Sequence, residues 1–230
     1  MSSVPQNHLD RPVAVVGAGT LGRRIALMFA TRGGLVRITD PGAEAGAAAV
    51  AFVEEQLPDV AAQVPGGSPG TVEYVPEQAD AVAGAWLVVE AVPENLELKK
   101  KIFAQLEADA DADAILASNS SSYASRLFTS GLATADRMLN THFYMPPQST
   151  VLDVMSDGET SQDVLEFVLK TFPEYGLHPF QVHKESTGFI FNRIWAAIKR
   201  EALLHRYVDA GKLGVKTGEG FYDDYPKPNR

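Results

Sequence analysis

The sequence predicts an α/β protein, a doubly wound, mostly parallel sheet with a short C-terminal helical appendage. Three observations predict it: short apolar runs alternate with helical stretches as far as Val182, a glycine-rich turn opens the first helix, and one long helical pattern follows the last strand. Val13-Ala14-Val15-Val16 is apolar throughout, as a strand covered on both faces must be. Leu21 to Arg32 places Leu21, Ile25, Met28 and Phe29 on one helical face, and Gly33-Gly34 ends that helix before a second strand, Leu35 to Thr39. An Ala-rich helix from Ala43 stops at Pro58, ahead of the loop Pro65-Gly66-Gly67-Ser68-Pro69-Gly70. Further strands are expected at Val72–Val75, Trp86–Val92, Ala114–Ala117, Met138–Phe143, Val151–Met155 and His178–Val182, with helices over Glu94–Ala108 and Ser161–Glu174. After Ser186 one helical pattern runs through Phe189, Ile190, Ile194, Trp195, Ile198, Ala202 and Tyr207 to Gly211. It cannot enclose its own core, so it packs either on its own chain or on a partner subunit; a twofold partner makes the expected assembly a homodimer through this helix.

Composition narrows the function classes. The chain has 230 residues, 45% of them hydrophobic and 21% charged, which suits one large domain or one domain with an appendage. Its 20 basic and 29 acidic residues give a net charge of −9, and no basic stripe offers itself to nucleic acid or an anionic membrane. The one Lys run, Lys99-Lys100-Lys101, reads as a solvated helix face. The absence of Cys excludes disulfides, thiolate metal sites and thiol catalysis. Residues 1–12 read as a loose tail and neither a signal nor a transit peptide, no apolar run approaches the roughly 18 residues a membrane span needs, and the cytoplasm is the expected compartment.

Gly17-Ala18-Gly19-Thr20-Leu21-Gly22 follows a predicted strand and opens a predicted helix. In that context the three glycines serve different needs. Gly17 makes the tight turn, Gly19 lets the backbone approach a pyrophosphate, and Gly22 brings helix and strand together, with the helix N-terminus facing the negative charge. Thr20 and Leu21 complete the phosphate turn. Asp40 closes the second strand, where a carboxylate accepts both hydroxyls of the adenosine ribose and repels a 2′-phosphate. The reading is therefore a Rossmann-type dinucleotide-binding domain over residues 1–185 that takes NAD, with residues 186–230 as a C-terminal helical segment and tail.

A second set of motifs follows: Glu90-Ala91-Val92-Pro93-Glu94-Asn95-Leu96, Ser118-Asn119-Ser120-Ser121-Ser122, His142-Phe143-Tyr144-Met145-Pro146-Pro147, Leu152-Asp153-Val154, Gly188 to Arg193, and the tail Lys212 to Tyr222. In order and spacing they resemble the L-3-hydroxyacyl-CoA dehydrogenase family, whose relatives include gulonate dehydrogenase and the lens λ-crystallins. The resemblance implies His142 as general acid/base, Ser121 as a hydrogen-bond partner of the substrate oxygen or the nicotinamide side, and Asn192 as the group polarising the developing alkoxide. It adds Glu94, Lys99, Asn119 and Lys216 to the cofactor-binding residues. Read without it, Ser120 to Ser122 are also a polar turn and Asn192 a helix cap.

Three departures stand out. Asp153 takes the place of the Glu that orients the His in the family, Met145 replaces an Asn, and only some 22 positions separate Asn192 from Gly214, so most of a multi-helix C-terminal domain is absent. The expected function is an NAD-dependent dehydrogenase or carbonyl reductase acting on a small-molecule 3-hydroxy or 3-oxo compound. An imine-type reductase on the same hydride site, or a non-catalytic structural or sensory NAD-binding protein, are the competing readings. Coenzyme A is not the expected carrier, because Ile38 through Leu98 holds no Lys or Arg and eleven acidic residues.

Overall fold

The computed structural model describes residues 4–201 and 208–212 and divides the chain into two compact units, the first ending at Phe189 and the second beginning at Ile190. In the first unit β1 (Val13–Val16), β2 (Leu35–Thr39), β3 (Thr71–Tyr74), β4 (Leu87–Glu90), β5 (Ile115–Ser118), β6 (Met138–Met145), β7 (Ser149–Ser156) and β8 (His178–Val182) form one sheet in the order β3-β2-β1-β4-β5-β6-β7-β8. Every neighbouring pair is parallel except β6 and β7, which a short turn joins antiparallel.

Alternation along the strands sends successive side chains to opposite faces, and each face has its own apolar cluster. On one, Val15, Ile38, Val89 and Leu139 meet residues of α1 (Thr20–Phe29), α2 (Ala43–Ala61) and α6 (Gln162–Thr171). On the other, Ala14, Val88, Leu116 and Met138 meet Val82 of α3 (Gln78–Val82), Phe103 and Leu106 of α4 (Leu96–Asp109), and Phe128 of α5 (Arg126–Thr129). The chain winds outward from β1 to β3, returns to β4, and winds the other way. The carboxyl ends of β1 and β4 therefore border the crevice where this topology binds ligands.

Several expectations are corrected. Helix α2 continues past Pro58 to Ala61, because Ala49, Val53, Leu57 and Ala61 form a buried i, i+4 stripe that holds the last turn down, and the Ala62 N–H closes on the Pro58 carbonyl at 3.2 Å. The helix expected over Ser161–Glu174 changes to a 3-10 turn at Phe172–Tyr175, since Pro173 brings no N–H to continue the α ladder. Nor is the amino-terminal segment loose. The His8 ring meets Trp86 and Phe167 edge-on at 5.4 and 5.2 Å, and Arg11 pairs with Asp113 at 2.8 Å while donating to the Gly84 and Ala85 carbonyls. In the second unit α7 (Phe191–Glu201) exposes Phe191, Ile194, Trp195 and Ile198; part of the expected continuation to Gly211 lies outside the described residues.

Candidate nucleotide site and its catalytic pair

The turn after β1 is shaped by what cannot be there. Gly17 has φ 111°, and a Cβ on it would stand 2.7 Å from the Ala91 carbonyl oxygen. A Cβ on Gly22 would stand 1.8 Å from the Gly17 carbonyl oxygen, so α1 lies against the turn only because that position is bare. Gly19 differs: a Cβ there meets nothing within 4 Å, and it caps α1 without any side-chain acceptor. The free N–H groups of the first turn thus open onto unfilled space beside a bare backbone, the arrangement that a pyrophosphate fills. Thr20, the first residue of α1, is exposed, and Leu21 packs against the core.

Beside the turn lies a cleft of about 620 Å³ bordered by Gly17, Gly19, Asp40, Pro41, Val92 and Ile102. Asp40 is fixed at its rim: one carboxylate oxygen accepts from the Ala18 N–H at 2.9 Å and the other from the Gly42 N–H at 2.8 Å. Each oxygen keeps a second acceptor site for a ribose hydroxyl. The residues present thus fit an NAD adenosine half.

Next to the cleft is a buried charge network. Glu90, fully buried at the end of β4, accepts from Lys99 Nζ at 2.8 and 2.9 Å, from the Ser118 hydroxyl at 2.6 Å and from the Val92 N–H at 2.8 Å. Lys99 also lies 3.4 Å from Glu94, which in turn accepts from the Ser120 hydroxyl at 2.6 Å and the Ser122 N–H at 2.8 Å. Burial pushes the Glu94 carboxyl up, but the Ser120 hydroxyl, the Lys99 ammonium and the Ser122 N–H outweigh it and hold it below the usual carboxylate range. Lys99 is thus not part of a solvated face. It shares the buried stripe of α4 with Phe103 and Leu106, while Lys100 and Lys101 are exposed. Its ammonium is engaged by Glu90 and Glu94, which clamp the loop carrying Ser120, Ser121 and Ser122.

The third part is the β6–β7 pair. His142 and Asp153 are register partners across these strands, and His142 Nδ1 stands 3.2 Å from Asp153 Oδ2. Asp153 is fully buried and His142 nearly so; the Tyr144 hydroxyl donates to the other Asp153 oxygen at 3.0 Å, and the Phe189 ring stacks on the imidazole with centroids 5.0 Å apart. A carboxylate accepting from Nδ1–H leaves the lone pair on Nε2. Asn119 ties β5 to this strand by accepting the Phe143 N–H at 3.0 Å. Three residues that stand in the motifs are given no role by sequence reasoning. Tyr144 sits two positions after His142 on the same strand face, Glu90 ends an otherwise apolar strand, and nothing near Phe189 in the sequence announces its contact with the imidazole. Asn192 lies on α7 in the second unit, and Lys216 falls outside the described residues.

A mostly parallel sheet with a glycine turn at its switch point and an Asp following its second strand defines a dinucleotide-binding Rossmann unit. Residues 12–186 match the family model described as 3-hydroxyacyl-CoA dehydrogenase, NAD binding domain. The chain belongs to that family, and NAD is the cofactor its domain holds. It is 29% identical over 198 residues to 5-formyl-3-hydroxy-2-methylpyridine 4-carboxylate 5-dehydrogenase of Mesorhizobium japonicum, covering 84% of this chain and 64% of that protein. A lambda-crystallin homolog of Bos taurus is 33% identical over 227 residues, 94% of this chain and 71% of that one. Among solved structures, a diketoreductase acting on dicarbonyl compounds superposes with a TM-score of 0.78 at 28% identity, covering 91% of this chain and 76% of the other. The chain thus spans about two thirds of the length of such relatives.

Proposed function

We propose that this protein is an NAD-dependent dehydrogenase or carbonyl reductase acting on a small 3-hydroxy or 3-oxo compound not carried on coenzyme A. The observation that carries the reading is the His142–Asp153 pair, 3.2 Å apart and buried between two adjacent strands of the sheet in the family's NAD-binding domain. When bound, NAD supplies the hydride acceptor or donor. His142 exchanges the accompanying proton with the substrate oxygen through Nε2, and Asp153 holds the ring in that tautomer and stabilises it when charged. Ser121 supplies a hydrogen bond to the same oxygen as charge develops on it. Glu94, with Asn119, holds the nicotinamide half, and Asp40 selects NAD over NADP. The acidic stretch from Ile38 to Leu98 disfavours the phosphates of coenzyme A.

The test is a screen of NADH oxidation across 3-oxo acids, their thioesters and cyclic imines. Turnover of a 3-oxo acid that collapses in His142→Gln supports the reading; no oxidation with any of them leaves the chain a nucleotide-binding protein without turnover. We further propose that α7, whose Ile194, Trp195 and Ile198 are exposed, is covered by a second copy of the chain in a cytoplasmic homodimer. Light scattering at high dilution checks this: a monomer mass for the unaltered chain sinks it, whereas a dimer mass that falls to a monomer in Ile198→Asp supports it.

A further inference from the structure

The carboxylate of an aspartate turns easily about its last bond, because that torsion joins an sp³ to an sp² carbon and has only broad preferences. The contact with His142 Nδ1 engages one oxygen of Asp153 and does not by itself fix the plane of the group. The other oxygen does. Oδ1 accepts from the Tyr144 hydroxyl at 3.0 Å, and among the described residues His142 and Tyr144 are the only side chains bonded to this carboxylate, with no Lys or Arg at ion-pair distance. Asp153 is fully buried, so an oxygen left unpaired there would be costly.

The strand pairing brings the two groups together. β6 and β7 keep one register from Leu139 opposite Ser156 to Phe143 opposite Leu152, and then slip: Met145 stands opposite Ser149, where an unbroken ladder would put Thr150. The extra residue lies on β7, across from Tyr144. Such a bulge re-aims the side chains beside it, and the Tyr144 hydroxyl reaches diagonally back to Asp153, a span open to an aromatic side chain. The Tyr144 ring lies 5.4 Å from the imidazole, centroid to centroid, and Phe189, buried with Ala124 and Met155, stacks on it at 23°. The imidazole is thus held by its ring and at Nδ1, while Nε2 makes no hydrogen bond with a described residue.

We propose that Tyr144 is a positioning residue of this site: its hydroxyl fixes the Asp153 carboxylate with Oδ2 toward His142, and through Asp153 it keeps the imidazole proton on Nδ1 and leaves Nε2 for the substrate oxygen. This rests on the dehydrogenase reading and adds to it a residue that acts through the pair and not on the substrate. The same hydroxyl sets the pair's balance of charge. Without the exchangeable proton, His142 and Asp153 together carry one net negative charge, and with it they carry none, so a donor to the carboxylate favours the unprotonated pair. Phe180, opposite Asp153 on β8, and the Phe189 ring over the imidazole carry no charge, which leaves Tyr144 as the titratable group in contact with the pair. Removing its hydroxyl therefore raises the pH at which the pair takes up its proton.

The test is Tyr144→Phe in the full chain, which keeps the ring and removes one oxygen. The nitrogen-15 resonances of the His142 imidazole, assigned among the 5 histidines by their loss in His142→Gln, report where the proton sits and at what pH it is taken up, with no substrate needed. In the variant, uptake should move about 0.5 to 1 pH unit higher, with a mixture of tautomers above it. With NADH and the 3-oxo acid turned over fastest in the screen, kcat should fall about 3- to 30-fold, a fraction of the acid/base's full worth, with KM and NADH affinity nearly unchanged and the pH profile moving together with the imidazole titration. In an Asp153→Asn background the same substitution should change kcat by less than about twofold, because the route through Asp153 is already cut. An unmoved titration and tautomer in Tyr144→Phe overturns the proposal, even where turnover is lost. So does an undiminished loss of kcat in the Asp153→Asn background, or a rise in KM at constant kcat, since Tyr144 would then meet the substrate itself. A shifted titration in a chain that reduces none of the screened compounds keeps Tyr144 in its role on the pair and removes the dehydrogenase reading; turnover that collapses in His142→Gln, beside an unmoved titration in Tyr144→Phe, does the reverse.

Discussion

The nucleotide turn and the His142 pair, the two ends of the candidate site, are built by different means. At the glycine turn the work is done by backbone: Gly17 and Gly22 pack where no side chain fits, Gly19 leaves open space, and a single carboxylate, Asp40, closes the rim. At the His142 end it is done by side chains from distant parts of the chain. β4, α4 and the loop after β5 meet in the Glu90–Lys99–Glu94 network, and β6 meets β7 in the His142–Asp153 pair. A backbone site binds a group that every dinucleotide shares, so its requirements are local and general. A side-chain site must place individual protons, and placing them takes several elements at once. Substitutions at the two ends should therefore separate cleanly into effects on affinity and effects on rate or integrity.

The largest expected effect is on rate. His142→Gln should lower turnover by about 10²- to 10⁴-fold, the usual worth of a positioned acid/base, and leave NADH affinity nearly unchanged. Steady-state kinetics beside a fluorescence titration of NADH reads both. Equal losses in rate and in cofactor affinity would break the separation, because His142 would then serve the nucleotide and not the chemistry. Asp153→Asn should slow turnover as well, by letting the ring settle in the wrong tautomer.

The same division explains what is legible in the sequence. The glycine turn, β1, the start of α1 and Asp40 lie within one short βαβ stretch, and β8 is delimited by its own residues, His178 to Val182. The five-residue α3 and four-residue α5 leave no signal, because neither is long enough to show a helical period. The solvated reading of Lys99 fails for a related reason. Three consecutive lysines suggest one exposed surface, but consecutive helix positions point in different directions, and Lys99 falls in phase with Phe103 and Leu106. Helical phase is the signal that finds it. The partnership of Phe189 with His142 joins residues with no shared element, and nothing in the local sequence announces it.

Next in size is an effect on integrity. Lys99→Met leaves Glu90 buried with no cation beside it, and breaking such a pair by removing one partner costs about 3–5 kcal/mol. Urea unfolding should show that loss. Lys99→Met combined with Glu90→Gln should recover part of it, since the buried charge is then gone. Should the double variant be no better than the single one, the network's worth lies in packing and not in charge.

A smaller effect belongs to the other end. Asp40→Ala removes the acceptor for the ribose hydroxyls and the repulsion toward a 2′-phosphate, so NADH should weaken by about 10- to 100-fold while NADPH changes little. Calorimetry with both cofactors measures the gap, and turnover at saturating NADH should be preserved. A drop in saturated turnover would join the two ends that the structure keeps apart.

The smallest expected effect is a shift along the pH axis, and it tests the clamp between the ends. Glu94 titrates below the usual carboxylate range: burial opposes its charge, but the Ser120 hydroxyl, Lys99 and the Ser122 N–H together favour it. A carboxyl whose folded-state pKa is depressed adds stability that is present above its unfolded value and disappears as the pH falls through the folded one. The Ser122 amide, 2.8 Å from Glu94, reports this directly. Its proton resonance should stay constant from neutral pH down to the ordinary carboxylate range and move only below it. Ser120→Ala removes the strongest of the opposing influences, so the same transition should move to higher pH. In that variant the acid limb of turnover should rise with it, because the loop carrying Ser121 loses its anchor when Glu94 takes up a proton. An amide transition that stays in place after Ser120→Ala would mean that Lys99, and not the serine hydroxyl, sets the charge of Glu94.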